Sequence, residues 1–252
     1  MNLRPFWCYY GGKWRAAPHY PIPIHPHIIE PFAGAAGYAL RYPHLQVTLV
    51  ERYRVVADLW RWLIEAYPSD VMAIPIVDDV RDLPSNVHQS ARSLVGFAMN
   101  AATTAPRVTL SAGARRLRGT EYGSKASRRM AGWTPERRAL VASQVAAIKH
   151  WKIIEGDYSS APDVAATWFV DPPYTGEKGA HYMAAVDDYR ALATWCRARQ
   201  GQVIVCENEG ADWLPFTTFK LLKAGVNGTG SREVVWTKGD ESLFSRMVQV
   251  SP

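Results

Sequence analysis

"IIEPFAGAAGYAL", residues 28–40, is the stretch that decides the fold of this chain. The β-branched residues at its start are typical of a buried strand, and the apolar residues at its end favour a helix. The small residues between them predict a tight turn. Such a turn either packs a strand closely on a helix or brings backbone amides to a cofactor at a helix N-terminus. Gly34 and Gly37 do not fit the G-x-G-x-x-G spacing, so this is not a dinucleotide fingerprint.

The next strand-like run, "QVTLVE" (46–51), places an acid where a cofactor site needs one. Glu51 follows Gly34 by seventeen residues and closes the run. Nucleotide-binding α/β folds use an acid at this position to accept hydrogen bonds from ribose hydroxyls. The turn and the acid, in this order, predict a site for a nucleotide-like cofactor.

Strand-like runs and helical segments alternate along the rest of the chain. After "HIIEPF" (27–32) and "QVTLVE", the runs are "WKIIEGDY" (151–158), "TWFVDPP" (167–173), "GQVIVCEN" (201–208), "FTTFKLL" (216–222) and "REVVWTK" (232–238). One predicted helix follows Glu51, with apolar residues at helical spacing: Val56, Leu59, Trp60, Leu63, Ile64 and Tyr67. Another begins at Pro135 with Thr134 as its N-cap. This alternation predicts an α/β fold whose largely parallel sheet is covered on both faces.

Composition limits the classes of protein. The chain has 252 residues, of which 48% are hydrophobic. It has no long apolar run and no N-terminal signal segment, which predicts a cytoplasmic protein without a membrane span. Its three Cys are widely spaced and its seven His lack ligand spacing, so neither a disulfide framework nor a metal site is expected. The size suits a monomer.

Positive charge is concentrated in one segment. Between Arg81 and Lys152 the chain has thirteen Lys or Arg and three Asp or Glu. This segment separates two strand-like runs by roughly a hundred residues, far more than one crossover needs. It therefore predicts an insertion over residues 80–148, within which residues 104–133 show no helical or strand period and are expected to form a basic loop. Such a charge run is either a surface for a polyanion or a solvated face.

"FVDPPYTGEKGAHY" (169–182) ends a buried strand with an acid, two prolines and an aromatic residue. Pro172 and Pro173 stop the strand because proline donates no ladder hydrogen bond. Asp171 stands at the carboxyl end of the strand, where open parallel sheets bind ligands, and Tyr174 follows on a stiff backbone. The stretch predicts an acid and a ring held beside a pocket.

"YGGKW" (10–14), "EPFAGAAG" (30–37) and "DPPY" (171–174), in that order and with a basic insertion before the last, resemble the motifs of DNA adenine methyltransferases of the Dam class, including small phage-borne members. The resemblance covers residue 9 to about residue 238. It departs at the family's Phe-x-Gly-x-Gly turn, which here has Ala36 in its final place.

The resemblance implies a class I methyltransferase fold, which is Rossmann-like, with a seven-stranded sheet whose last strand is antiparallel. Residues 1–79 and 149–252 would form the catalytic domain, and residues 80–148 a DNA-recognition subdomain. The implied reaction transfers a methyl group from S-adenosylmethionine to the exocyclic amine of adenine in double-stranded DNA. The implied role is phage protection, restriction–modification or regulation.

The resemblance also implies roles for individual residues. The catalytic set is Asp171, Pro172, Pro173 and Tyr174. The cofactor set is Tyr10, Lys13, Glu30, Phe32, Ala33, Gly34, Glu51, Asp157, Tyr158 and Asp171. The DNA-binding set is Arg115, Arg116, Arg118, Lys125, Arg128, Arg129, His181 and Tyr182, with Arg232 at the mouth of the site.

Two other functions stay open at the level of sequence. A Pro-Pro-aromatic motif that binds a planar amine serves a cytosine amine or an RNA substrate equally well. A protein of the same fold that binds nucleic acid without catalysis is the third possibility, and the intact Asp171 and Lys13 argue against it.

Overall fold

The structure, a computed structural model, describes residues 2–100, 103–119, 130–176, 182–222 and 231–239. All seven predicted strands are confirmed, and they form one sheet in the order β3-β2-β1-β4-β5-β7-β6. Their bounds are β1 His27–Glu30, β2 Gln46–Glu51, β3 Lys152–Glu155, β4 Ala166–Val170, β5 Gly201–Asn208, β6 Thr217–Leu222 and β7 Ser231–Lys238. The fold is therefore α/β with a mixed sheet.

The direction of the strands brings several chain ends to one edge of the sheet. Strands β1 to β5 are parallel, so their carboxyl ends share an edge. The order reverses between β1 and β4, and open α/β sheets bind ligands at such a reversal. Strand β7 is antiparallel to both neighbours. Its first residues therefore lie at the same edge, where Glu233 is in register with Asn208 of β5.

Six α-helices occur among the described residues. They are α1 Arg54–Glu65, α2 Pro68–Met72, α3 Gln89–Ala98, α4 Ala112–Gly119, α5 Pro135–Gln144 and α6 Tyr189–Ala198. The predicted helix after Glu51 is α1, and its Val56, Trp60 and Leu63 are buried as expected. The predicted cap of α5 is also confirmed, because the Thr134 side chain accepts a hydrogen bond from the Arg137 amide at 3.2 Å.

Two local predictions are wrong. No α-helix follows the turn of residues 28–40, where the chain forms only a short 3-10 helix, Ala39–Arg41. Gly34 and Ala36 have φ values of 44° and 49°, and this left-handed backbone interrupts a helix. The position where the family has glycine thus adopts a conformation that favours glycine, although Ala36 occupies it. The second error is the basic loop, because helix α4 forms within it from good helix formers such as Ala, Arg and Leu.

The core fills both faces of the sheet, as predicted. Adjacent residues of β4 point to opposite faces, so Phe169 belongs to one hydrophobic cluster and Trp168 to the other. The segment 80–148 contributes Phe97 and Trp133 to the cluster that also contains Trp60 of α1. This segment is thus joined to the sheet by a shared core, and its proposed contact with DNA stays a prediction.

Gly37 generates a prediction about stability. A Cβ atom at this position would lie 2.6 Å from the Trp14 amide nitrogen and 2.9 Å from that of Lys13. Since both contacts are to backbone, we expect Gly37→Ala to lower the free energy of unfolding by about 1–3 kcal/mol in a urea titration. The matched control is Gly113→Ala in α4, where a Cβ meets nothing within 4 Å. The control should be neutral or slightly stabilising, and equal effects in the two variants would contradict the prediction.

Candidate active site

A deep cleft opens at the carboxyl edge of the sheet, next to β1 and β4. Its empty volume is about 1060 Å³ including the open mouth, which suits a nucleotide-bearing cofactor. Three chain segments form most of its wall: the N-terminal turn 9–13, the turn 30–37 after β1, and residues 182–188. The predicted cofactor residues all line this one cleft: Tyr10, Lys13, Glu30, Phe32, Ala33, Gly34, Glu51, Asp157, Tyr158 and Asp171.

Lys13 and Asp171 form a buried ion pair at the bottom of the cleft. The Lys13 Nζ atom lies 2.8 Å from both carboxylate oxygens of Asp171. The same ammonium donates to the Gly11 carbonyl at 2.9 Å. Gly11 has a φ of 70°, which turns the chain so that Lys13 points inward and is only 7% exposed. The predicted catalytic acid therefore has a fixed cationic partner.

Glu233 of β7 is a second carboxylate at this point, and the sequence analysis did not identify it as a site residue. Its Oε1 atom lies 3.5 Å from Lys13 Nζ and accepts a hydrogen bond from the Tyr174 hydroxyl at 2.5 Å. Lys13 Nζ is also 4.8 Å from the centroid of the Tyr174 ring, within the range of a cation–π interaction. Glu233 and Tyr174 do not line the cleft itself, and with Lys13 and Asp171 they form one polar cluster, here called the Lys13 cluster.

Burial and neighbouring charges have opposite effects on the pKa values of Asp171 and Lys13. Burial raises the pKa of Asp171 to about 6, and the attraction of Lys13 opposes part of that rise. For Lys13, burial acts to lower the pKa, but the carboxylates of Asp171 and Glu233 outweigh it and hold the pKa above its usual value. At neutral pH the pair is therefore ionised, and Asp171 is an acceptor of hydrogen bonds.

Glu51 and the turn after β1 hold each other in place. The two Glu51 carboxylate oxygens accept from the Gly34 amide at 2.9 Å and from the Tyr53 amide at 2.8 Å. The Gly34 carbonyl in turn accepts from the Trp60 indole at 2.8 Å. Burial raises the pKa of Glu51, and the amides of Tyr53 and Gly34 oppose that rise. Each carboxylate oxygen keeps acceptor capacity for a further donor, such as a ribose hydroxyl.

Glu30 fixes the other end of the same turn. It is 2% exposed, and its carboxyl accepts a hydrogen bond from the Ala39 amide at 2.6 Å. Burial raises the Glu30 pKa to about 8, against the opposing effect of the Ala39 amide. Glu30 is therefore largely protonated at neutral pH and acts as a neutral strut.

Glu207, another residue that sequence reasoning missed, holds the chain just beyond Tyr174. Its carboxylate accepts from the Thr175 amide at 3.2 Å, the Asn208 amide at 2.8 Å and the Trp213 indole at 3.1 Å. Burial raises its pKa. The carboxyl end of β5 thus anchors the segment that follows the two prolines.

The remaining predicted residues divide into those at the cleft and those away from it. Pro173 lines the cleft, whereas Pro172 is buried and does not line it. Tyr182, predicted to contact DNA, lines the same cleft, and its hydroxyl donates to the Tyr10 carbonyl at 3.3 Å. Arg232 is half exposed and pairs with Glu209 at 3.2 Å.

The predicted DNA-binding set is only partly described. Arg115 donates to the Leu110 carbonyl at 2.7 Å, and Arg118 pairs with Asp78 at 2.6 Å. Both guanidinium groups thus have acceptors within the protein, while Arg116 is exposed on α4. Lys125, Arg128, Arg129 and His181 lie outside the described residues.

Sequence reasoning also missed a contact between the end of β2 and the segment 182–188 at the cleft. Arg52 donates to the Ala185 carbonyl at 3.2 Å and to Asp187 at 3.3 Å. These contacts join the end of β2 to the segment 182–188 across the mouth of the cleft. In the sequence this segment is marked only by its short distance from "DPPY", and that distance does not predict where the backbone of the segment runs.

Among the described residues, no group of three or more His, Cys, Asp or Glu side chains is arranged to hold a metal ion. None of the described helices combines the length and apolar character needed to cross a membrane. No family model and no curated protein matches the sequence. The functional argument therefore rests on the motifs and on the geometry of the cleft.

Glu30 generates a prediction about pH. Its folded pKa of about 8 exceeds the usual 4.5, so between these values the folded protein keeps a proton that the unfolded chain has released. The contribution of Glu30 is therefore complete below pH 4.5 and is lost as the pH rises through 8, by up to about 1.4 kcal/mol per pH unit. We expect Glu30→Gln, which keeps an acceptor for Ala39, to remove this slope.

Urea unfolding at pH 5, 6.5 and 8 measures this effect. The stability of the wild type relative to Glu30→Gln should fall steadily across the series. Glu65→Gln, at an exposed residue of α1, is the matched control and should leave the slope unchanged. Parallel curves for the wild type and Glu30→Gln would show that Glu30 is ionised in the folded protein.

Proposed function

We propose that the protein is an S-adenosylmethionine-dependent DNA methyltransferase that acts on the exocyclic amine of adenine. The observation that carries this proposal is the Lys13–Asp171 ion pair at the foot of a cleft that also contains Glu51 and the Gly34 turn. Three stretches far apart in the sequence thus meet in one cleft. The seven-stranded sheet with an antiparallel last strand supports the same proposal.

The donors and acceptors of the cleft fit the cofactor. Glu51 offers acceptor capacity to ribose hydroxyls at the end of β2. The Phe32 and Tyr158 rings, with centroids 5.7 Å apart, lie beside Asp157 and provide apolar surface and an acceptor for an adenine. When bound there, the cofactor would supply an electrophilic methyl group on a sulfonium and leave as S-adenosylhomocysteine, while the methylated amine loses one proton. The residues named here that would hold it come from three separate segments.

The structure favours a different role for Lys13 from a contact with the cofactor's carboxylate. A lysine ammonium has three N–H donors. Gly11, Asp171 and Glu233 all offer acceptors within reach of Lys13 Nζ. We therefore assign Lys13 to holding the Asp171 carboxylate in place, and Tyr10 and Tyr182 remain at the cofactor end of the cleft.

Asp171 and Pro172 would activate the target amine by positioning it. The lone pair of an adenine amine is delocalised into the ring, which makes it a poor nucleophile. Hydrogen bonds from its two N–H groups to the Asp171 carboxylate and the Pro172 carbonyl favour a tetrahedral nitrogen whose lone pair faces the methyl group. The base must leave the DNA stack to reach this site, and a ring such as Tyr174 offsets part of the unstacking cost.

Methyl transfer from labelled S-adenosylmethionine to unmodified DNA tests the proposal directly. Purified protein should give N6-methyladenine on nucleoside analysis. Asp171→Asn should lower turnover at least about a thousandfold because it removes a charged acceptor from the reacting amine. Its far-ultraviolet circular dichroism should stay close to that of the wild type, which separates loss of chemistry from loss of the fold.

Asp163→Asn is the matched control for this experiment. Asp163 precedes β4 at the opposite edge of the sheet and forms an exposed pair with Arg199 at 2.8 Å. Its replacement should leave turnover unchanged. Methylcytosine alone as the product, methylated RNA alone, or cofactor binding without any transfer would each replace the adenine assignment with one of the alternatives.

Glu51 provides a separate test of the cofactor end. We expect Glu51→Gln to weaken the binding of S-adenosylmethionine by about 1.5–3 kcal/mol, the range for a hydrogen bond to a charged group. Calorimetry measures this change. Glu155→Gln is the control, because Glu155 is in register with Glu51 on β3 but is solvent-exposed. Equal cofactor affinity in both variants would leave Glu51 with only its role in bracing the Gly34 turn.

A further inference from the structure

Glu233 is a buried carboxylate that reaches Lys13 from strand β7, outside the three motifs that carry the resemblance. It is 3% exposed and belongs to the start of β7. Its Oε1 atom contacts both Lys13 Nζ and the Tyr174 hydroxyl. Its Oε2 atom is buried and finds no hydrogen-bond partner among the described residues.

Packing alone does not explain a carboxylate at this position. A buried charge with one unsatisfied oxygen costs stability, and an apolar side chain of similar volume would serve a purely structural role better. The two groups that Glu233 does contact are both predicted site residues. Its position is therefore better explained by what it does to Lys13 and Tyr174.

We propose that Glu233 is a positioning residue that holds Lys13 and Tyr174 so that Asp171 presents its carboxylate to the target amine. This inference rests on the function proposed above. Lys13 is held between two carboxylates, at 2.8 Å from Asp171 and at 3.5 Å from Glu233, so that its ammonium is drawn from both sides. The Tyr174 hydroxyl is tied to the same Glu233 oxygen, which fixes the ring in its plane.

Glu233 also affects the titration of Asp171. Burial is the main cause of the raised pKa of Asp171, Lys13 opposes it, and the negative charge of Glu233 adds to the rise. Removal of the Glu233 charge should therefore lower the pKa of Asp171. Asp171 is coupled electrostatically to several other titratable groups, so that the charge of one affects the pKa of the other. These groups are Lys13, Tyr20, Glu30, Tyr174, Tyr182, Cys206, Glu207 and Glu233.

The experiment compares Glu233→Gln with the wild type in the DNA methylation assay. We expect kcat to fall about tenfold to a hundredfold, as for the loss of an interaction with a charged group. The KM for S-adenosylmethionine should not change, since Glu233 does not line the cofactor cleft. The acid limb of the kcat profile, which reports the ionisation of Asp171, should move to lower pH.

Glu65→Gln is the matched control. Glu65 is an exposed residue at the end of α1, away from the cleft. Its replacement should leave kcat and the acid limb unchanged. An unchanged kcat together with an unmoved acid limb in Glu233→Gln would overturn the inference, even with an active wild type.

A double-mutant cycle separates positioning from general loss of packing. Tyr174→Phe removes only the hydroxyl that donates to Glu233. If Glu233 acts in part through this hydroxyl, the kcat loss of Glu233→Gln with Tyr174→Phe will be smaller than the product of the two single losses. Multiplicative losses would show that Glu233 does not act through Tyr174.

A readout that needs no activity distinguishes failure of this inference from failure of the proposed function. Carbon-13 NMR of labelled aspartate follows the titration of Asp171 in the folded protein. If the wild type transfers no methyl group, the proposed function fails, and a lower Asp171 pKa in Glu233→Gln still supports the coupling within the Lys13 cluster. An Asp171 pKa that is the same in Glu233→Gln and in the wild type overturns the coupling whatever the activity.

Discussion

The buried contact between the Lys13 ammonium and the Asp171 carboxylate joins the N-terminal turn to the end of β4, across 158 residues of sequence. Each charge is stabilised away from water by the other, so removal of one partner leaves the remaining charge less compensated in the core. The contact fixes where the N-terminal turn lies, and with it one wall of the cleft. Gly37 permits this approach, since it lies against the backbone of Lys13 and Trp14.

A concentration of carboxyl groups at one edge of the sheet follows from its topology. Strands β1, β2 and β5 end in or near Glu30, Glu51 and Glu207, and β4 is followed by Asp171. Burial raises the pKa of all four. Two of them, Glu51 and Glu207, are satisfied by backbone amides and brace loops, whereas Asp171 is paired with a cation beside open space. Perturbed acids with distinct surroundings in one cleft are typical of a functional site.

The segment between α1 and β3 contains both buried apolar side chains and basic side chains, and the two groups have different roles. Its buried side chains join the core around Trp60, so its loss would expose the hydrophobic core that packs on the sheet. Some of its basic residues make contacts within the protein, as Arg118 does with Asp78 and Arg115 with the Leu110 carbonyl. The number of basic residues in the sequence is therefore larger than the number of basic side chains available to contact a polyanion.

The sequence by itself determined the seven strands, the cap of α5, and the positions of Glu51 and Asp171 at one edge of the sheet, whereas Lys13 was grouped with them only through the resemblance. These features follow from local patterns, because β-branched runs form strands and the carboxyl ends of parallel strands meet at one edge. Only the tertiary structure decided that β7 lies between β5 and β6 and brings Glu233 to Lys13. Contacts of that kind between distant residues depend on the order of the strands in the sheet, and local sequence patterns do not predict that order. The left-handed backbone of Ala36 could not be predicted either, because an alanine in the sequence does not indicate this conformation, which the surrounding core imposes.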